Sequence, residues 1–384
     1  MTRWRADRRE LAHLLLAAGL SAASSLVWLR LLPEASTSCC DASQYLRMAR
    51  DPGQAVLTPY SYRVLVPRLV HWLGTEPVLT FKLLSVVSLT LSGPLVWLFL
   101  RRLGLRRDLA WLAMLALLCS RGWTFYLYDP WLSDPAAFLL ISALLVVFGE
   151  GLARLGGSAL LLAICAATRD LTLGFALPAY AFLRRRKLDG RAAVLAAAVV
   201  APAVAVYAYV LATVPHTGLD GVVETVRVTV PGIYRARVLE RGPFWLANTF
   251  ALSLGVWWPL ALASWRDPRV RWLRWWLLPV LAQLALGGDW SRFALYAFPF
   301  VLAAGATTIE NAREPRSLVV LAVAQLGMPL LDLGHPALNY PGPSLAATLL
   351  LMGVTTATLL ADRAVAWPRP AARATALGRP DQTC

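Results

Sequence analysis

Residues 83–100 read LLSVVSLTLSGPLVWLFL, a run of 18 positions without a charged side chain. A helix needs about 20 mostly apolar residues to cross the hydrocarbon core of a bilayer. Of the 384 residues, 58% are hydrophobic and 15% are charged, whereas soluble domains carry about 25% charged residues. Similar apolar blocks occupy residues 11–29, 109–120, 135–148, 191–212 and 245–263. These blocks lack the period-2 alternation of barrel strands, so the chain is predicted to be an all-α polytopic membrane protein and not a soluble enzyme or a disordered chain.

The apolar blocks predict about 12 transmembrane or half-membrane helices and two large extracytoplasmic loops, 33–78 and 213–244. We divide the chain into a seven-span module of catalytic type, 1–212, and a second module, 213–384, which holds the second outer loop and five spans. The first span follows a basic start and lacks a convincing cleavage site, so we expect it to be retained. The helices are placed near residues 11–32, 79–100, 109–128, 135–149, 157–168, 171–183, 191–212, 245–263, 275–287, 293–309, 317–331 and 343–361.

Charge placement predicts the orientation of these helices. If the N-terminus is cytoplasmic, the inner segments carry nearly all of the net charge of +15, as the positive-inside rule requires. The charge is therefore a topology signal, and we expect no nucleic-acid partner. Of the 37 basic residues only Lys82 and Lys187 are lysine, which indicates a GC-rich bacterial genome. We predict a multi-pass protein of the bacterial inner (cytoplasmic) membrane with both termini in the cytoplasm.

The same rule predicts that residues 157–183 and 275–309 each form two short arms. An arm of this length covers roughly 18 Å, which is less than the hydrocarbon core. The tips, at Arg169-Asp170 and at Asp289 to Arg292, should therefore lie below the outer surface in a cavity lined by protein or water.

Ionisable groups at membrane depth are functional candidates because their burial costs several kcal/mol unless they are paired or hydrated. The alternatives are structural: such residues also form ion pairs that hold helix ends, Asp41 also suits a helix cap, and Tyr60 and Arg63 also suit interface anchors. The outer-side candidates are Asp41, Tyr60, Arg63, Asp134, Arg169, Asp170, Asp289 and Arg292.

Most of the 16 tryptophans, Trp97 and Trp257 among them, fall near predicted span ends and are interpreted as aromatic-belt anchors.

A reaction that takes its donor group from a soluble nucleotide is not expected, because the chain lacks the usual nucleotide-binding and hydrolase motifs. An active site on the outer side needs a donor that is already in the membrane, and a polyprenyl-phosphate sugar meets that requirement. The five cysteines lack metal-ligand spacing, so we expect neither a disulfide framework nor a cysteine metal site.

Four stretches resemble the C-type (GT-C) polytopic glycosyltransferase superfamily, in an uncharacterised bacterial branch. They are DASQYLRMA (41–49), PYSYRVLVP (59–67), ATRD (167–170) and GGDWSRFALYAFP (287–299). An acidic residue soon after the first span, on a long outer loop, is typical of this superfamily. So are a seven-span first half and a second large outer loop after the seventh span.

The resemblance implies an inverting transferase that moves a sugar from a polyprenyl-phosphate-linked donor to a hydroxyl on a glycan, lipid or protein acceptor. Asp41 would be the general base, and Arg63, Arg169 and Arg292 would stabilise the departing phosphate. Tyr60 would contact the donor phosphate or sugar. No metal ligand is assigned; if a divalent cation binds, the carboxylates are its expected ligands. Those carboxylates, Asp134, Asp170 and Asp289, would otherwise orient the arginines or contact sugar hydroxyls.

Two other functions stay open from the sequence. Short paired arms with charged tips are also found in transporters and lipid flippases. A non-catalytic partner in cell-envelope glycan assembly would use the outer charges as protein contacts. Carriers usually have repeated halves and midplane sites, whereas these charges gather on one side and no repeat is visible.

Overall fold

The computed structural model describes residues 8–32, 37, 40–57, 60–149, 151–184, 189–217, 227, 231–232, 243–286, 290–332 and 343–363. Within these ranges the chain is helical apart from two two-residue strands, which confirms the all-α prediction. The helices of the first half are α1 (Arg8–Leu31), α2 (Cys40–Arg50), α3 (Leu65–Leu73), α4 (Pro77–Arg102), α5 (Arg107–Leu118), α6 (Arg121–Tyr128), α7 (Asp134–Val147), α8 (Leu152–Ala166), α9 (Ala176–Arg184) and α10 (Asp189–Thr213).

The second half contains one long helix, α17 (Pro343–Arg363), and several shorter ones. They are α11 (Pro243–Ser253), α12 (Trp257–Ala263), α13 (Leu277–Leu286), α14 (Trp290–Leu295), α15 (Phe298–Asn311), α16 (Pro315–Leu326) and α17 (Pro343–Arg363). Among the described residues, four 3-10 turns join or extend the helices, at Tyr60–Tyr62, Asp170–Phe175, Leu273–Trp276 and Met328–Asp332. The strands are β1 (Val56–Leu57) and β2 (His216–Thr217).

Four described helices, α1, α4, α10 and α17, are long and apolar enough to cross a membrane. A fifth candidate is the pair α5 and α6. The two helices are together long and apolar enough to cross a membrane, but they meet at a bend of 44°. The remaining apolar helices are shorter. The structure is therefore that of a helical chain with several helices that could span a membrane, and the full set of 12 stays a prediction.

Several predicted helices are broken, and local contacts explain two of the breaks. Residues 109–128 divide at Ser120, whose hydroxyl accepts a hydrogen bond from the Trp123 backbone N–H at 3.2 Å and so caps α6. The predicted arm 171–183 begins as a 3-10 turn, in which the Thr172 hydroxyl donates to the Arg169 carbonyl at 2.6 Å. A side chain that bonds its own backbone competes with regular helix geometry.

The core runs between α1, α4 and α7, between α8 and α10, and between α12 and α15. Trp97 and Trp257 are fully buried in it. The aromatic-belt interpretation was therefore wrong for these two side chains. Hydropathy predicts how far along a helix a tryptophan lies, but it does not predict how the helix is rotated about its axis. Here both indoles point at neighbouring helices.

The predicted inner and outer segments separate to opposite ends of the molecule. At one end Glu10 pairs with Arg101 at 3.6 Å and with Arg107 at 3.4 Å. At that end the Arg106 backbone N–H also donates to Glu310, near the end of α15. The candidate residues before α7 and α15 lie at the other end of the same helices. The separation agrees with the charge-based topology, while orientation relative to a membrane stays a prediction.

The first outer loop is fastened to two distant segments. Strand β1 pairs in parallel with β2, so Val56 faces His216 and Leu57 faces Thr217. The Leu65 backbone N–H donates to the Ala167 carbonyl at 3.0 Å. These bonds hold the loop that carries Asp41 beside the predicted tip at Arg169-Asp170.

Gly174 allows the broken segment between α8 and α9 to pack closely on α13. A Cβ at this glycine would lie 2.3 Å from the Cβ of Pro279. A proline ring cannot rotate away, so any side chain at 174 must push the two segments apart.

We predict that Gly174→Ala lowers the free energy of unfolding by about 1–3 kcal/mol, the usual cost of overpacking. The measurement is denaturant or thermal unfolding of the purified protein in detergent. Gly156→Ala is the matched control, because no atom lies within 4 Å of its Cβ position. Equal stability of the two variants would contradict the close packing.

Candidate functional site

A group of two carboxylates and two guanidinium groups joins distant parts of the chain at the end opposite the basic loops. We call Asp41, Asp134, Arg169 and Arg292 the carboxylate–arginine cluster. Both carboxylates lie in the first turn of a helix, α2 for Asp41 and α7 for Asp134. The positive end of a helix dipole favours a carboxylate at that position. Arg169 precedes the 3-10 turn after α8, and Arg292 lies in α14.

Asp134 is the centre of the cluster. Its Oδ1 accepts a hydrogen bond from the Tyr296 hydroxyl at 2.8 Å and lies 3.3 Å from Arg169 Nη2. Its Oδ2 lies 3.9 Å from Arg292 Nε. The side chains of Asp134 and Arg169 have no solvent exposure, so their opposite charges face one another in the interior of the protein.

Asp41 is the accessible carboxylate of the cluster. Its Oδ1 accepts a hydrogen bond from the Tyr60 hydroxyl at 2.6 Å, and its Oδ2 lies 3.5 Å from Arg292 Nη1. The side chain of Asp41 is 18% exposed, compared with 3% for Arg292. Asp41 is therefore the more accessible of the two charged groups in this ion pair.

Aromatic rings enclose the two guanidinium groups. The guanidinium carbons of Arg169 and Arg292 lie 5.0 and 4.8 Å from the centre of the Phe293 ring. Arg292 also lies 5.7 Å from the centre of the Phe125 ring, and Tyr126 donates to the Arg292 carbonyl at 3.4 Å. Contact of a cation with an aromatic face is favourable when both are desolvated. The rings therefore stabilise the arginines and exclude water from the cluster.

A second layer of polar side chains supports Asp41. Arg63 Nη1 donates to the Tyr45 hydroxyl at 3.1 Å, and the Tyr45 ring meets the Tyr60 ring edge-on at 5.6 Å. Burial by itself lowers the pKa of the Arg63 guanidinium. Tyr45 and nearby carboxylates, that of Asp170 among them, together raise the pKa by more than burial lowers it. The pKa of Arg63 is therefore above its ordinary value, and this group stays charged.

Tyr60 acts as a hydrogen-bond donor throughout the physiological range. Burial, followed by the neighbouring Asp41 carboxylate, raises the pKa of the Tyr60 phenol well above its ordinary value. The phenol therefore keeps its proton and continues to donate it to Asp41.

The structure brings together most of the candidate residues named from the sequence. Asp41, Tyr60, Asp134, Arg169 and Arg292 meet directly. Arg63 adjoins them through Tyr45, and Asp170 lies close enough to act on the charge of Arg63. Asp289 lies outside the described residues, as does most of the second outer loop.

Sequence reasoning named Tyr60 but missed the other aromatic members of the site. Tyr296 and Phe293 stand four and one residues after Arg292, and the four-residue spacing is the usual signal for neighbours on one helical face. Tyr45 stands four residues after Asp41 on α2. Tyr126 carries no such signal, because it reaches the site through the bend between α5 and α6.

No group of three His, Cys, Asp or Glu side chains that could hold a metal ion occurs among the described residues. The carboxylates of Asp41 and Asp134 already face guanidinium groups. A divalent cation with Asp134, Asp170 and Asp289 as ligands stays a prediction, since Asp289 is not described.

Comparison with known proteins adds no family: no protein-family model, curated protein or solved structure matches the chain. The function must therefore be argued from the site.

We predict that Asp134→Asn lowers the free energy of unfolding by roughly 3–5 kcal/mol, because removal of one partner leaves buried charge uncompensated. Thermal unfolding in detergent measures the change. The control is Asp108→Asn, which makes the same replacement in the exposed ion pair with Arg106 and should have little effect. Similar melting temperatures for both variants would show that Asp134 is not the centre of the cluster.

Proposed function

We propose that this protein is an integral membrane glycosyltransferase of GT-C type. It would transfer a sugar from a polyprenyl-phosphate-linked donor to a hydroxyl acceptor, with inversion, on the extracytoplasmic side of a bacterial inner membrane. The observation that carries the proposal is one accessible carboxylate, Asp41, held against a buried arginine at the end opposite the basic loops.

Asp41 has the geometry of a general base. The short bond from Tyr60 fixes Oδ1, while among the described residues Oδ2 has only the long contact of 3.5 Å with Arg292. Oδ2 is therefore the oxygen that an acceptor hydroxyl can approach. A carboxylate can serve as this base, because the acceptor proton becomes acidic only as the new bond forms and the base is already in position.

The transfer step balances in charge. The acceptor oxygen forms a bond to the anomeric carbon, its proton passes to Asp41, and the bond from that carbon to the phosphate oxygen breaks. The electron pair leaves with the polyprenyl phosphate, which gains one negative charge. Protonation of Asp41 meanwhile removes one negative charge from beside Arg292, and the positive charge of this arginine would then stabilise the leaving phosphate.

The buried arginines would have a different role from the one the sequence implied. Arg169 has no exposure and Arg63 is bonded to Tyr45. We assign both as positioning residues, which fix Asp134 and the Tyr45–Tyr60 pair and through them Asp41 and Arg292. Such support maintains the geometry that proton transfer needs.

A transporter or flippase is the second candidate. The observation that favours it is the interruption between α8 and α9, which places Arg169 and Asp170 at a break in the helices. Broken helices of this kind bind substrates in carriers. The cluster differs from such a site, because its charges already neutralise one another and leave Asp41 as the accessible group.

We predict that Asp41→Asn lowers sugar transfer by at least about 100-fold, the usual contribution of a general base. Purified protein is incubated with a bacterial lipid extract that carries radiolabelled polyprenyl-phosphate sugars, and the label that leaves the lipid is counted. Asp51→Asn is the matched control, since it makes the same replacement at an exposed position of the same loop.

Equal transfer by the wild type and Asp41→Asn would reject Asp41 as the base. Movement of labelled lipid across a reconstituted bilayer, without loss of label from the lipid, would instead support the transporter.

A further inference from the structure

A second polar feature lies at the basic end of the molecule, away from the carboxylate–arginine cluster. A cleft of about 560 Å³ opens where α9 packs against the 3-10 turn Leu273–Trp276. The loop before this turn belongs to the basic end, because Arg269 pairs with Glu310 there. The polar and aromatic side chains that line the cleft are Tyr180, Arg184, Arg271, Trp272, Arg274 and Trp275.

The cleft concentrates positive charge. Three of its lining side chains are arginines, and among the described residues neither Arg271 nor Arg274 forms an ion pair with a carboxylate. The guanidinium groups of Arg271 and Arg274 repel one another at this cleft unless an anion joins them. Arginine is suited to a phosphate, because its planar group donates two parallel hydrogen bonds.

Aromatic rings hold two of these arginines in place. The guanidinium carbon of Arg274 lies 5.8 and 5.6 Å from the ring centres of Trp265 and Trp275. That of Arg184 lies 6.0 Å from the Tyr180 ring. Contact with ring faces leaves the N–H edges of the Arg274 guanidinium available to a ligand.

The floor of the cleft is rigid. Trp272 is buried and packs edge-on against Phe182, with ring centres 5.0 Å apart. Phe148 packs behind both rings, 5.0 Å from Phe182 and 6.0 Å from Trp272. The cleft is therefore formed before a ligand arrives, which lowers the cost of binding.

An exposed apolar strip continues from the cleft along α13. Trp275, Leu278 and Leu281 are 41%, 48% and 50% exposed, and their spacing of three residues places them along one side of the helix. Tryptophan is the residue that favours the boundary between headgroups and hydrocarbon. The ligand should therefore combine an anionic group with a long apolar chain.

We propose that this cleft binds an anionic membrane phospholipid. Its headgroup phosphate would accept hydrogen bonds from Arg271 and Arg274, and an acyl chain would lie along Leu278 and Leu281. Basic pockets between helices at the cytoplasmic side are suited to such headgroups. The site is separate from the transfer chemistry, so its test does not depend on glycosyltransferase activity.

Native mass spectrometry of the purified full-length protein tests the proposal. The protein is titrated with phosphatidylglycerol or with phosphatidylcholine, and bound lipid is counted. We expect the wild type to retain phosphatidylglycerol selectively, and Arg271→Gln/Arg274→Gln to bind it at least roughly tenfold more weakly. The control is Arg266→Gln/Arg313→Gln, which removes the same charge from two exposed arginines outside the cleft and should bind like the wild type.

Three results would overturn the proposal. Equal weakening by both double variants would show that general positive charge holds the lipid. Equal retention of the two lipids would exclude recognition of the anionic headgroup. Displacement of phosphatidylglycerol by an equal concentration of inorganic phosphate would assign the cleft to a free anion.

A conservative pair keeps the test decisive if the glutamine variant does not fold. Arg271→Lys/Arg274→Lys retains the charge and the topology signal but loses the forked hydrogen bonds. We expect this variant to bind phosphatidylglycerol several-fold more weakly than the wild type, and unchanged binding would contradict the assignment.

Discussion

Asp134 has no exposed surface, yet two arginines from distant parts of the chain converge on it. Removal of a carboxylate from water costs several kcal/mol, and only close, well-oriented partners offset that cost. The cost therefore constrains the fold. The start of α7, the segment that follows α8, and helix α14 must all meet at one place. Arg292 also faces Asp41, so this buried ion pair sets the position of the accessible carboxylate.

The molecule handles charge differently at its two ends. At the basic end, Glu10 bridges two arginines near the surface, and other arginines lie against aromatic rings. At the opposite end the charges are enclosed and neutralise one another. Charges interact more strongly in a low-dielectric interior than in water. Addition of a single proton to such a neutral group of charges therefore changes its electrostatic energy strongly, and proton transfer to Asp41 would use this property.

Hydropathy and charge placement predicted the helical class, the separation of two ends and most of the site residues. The reason is that burial of charge is costly at any position, so Asp134, Arg169 and Arg292 stand out in apolar surroundings. The sequence did not tell which carboxylate is enclosed, because that depends on how each helix is rotated about its axis. The same limit explains Trp97, which faces the core, and Tyr126, which reaches the site only through a bend between two helices.

The pairing of β1 with β2 has a consequence for how this protein can change during evolution. Two backbone segments that share hydrogen bonds must keep compatible lengths and register. An insertion before Val56 or before His216 would shift one strand past the other and displace the helix that carries Asp41. The two outer segments should therefore be inherited together, and a hybrid that takes one of them from a relative would need the other from the same source.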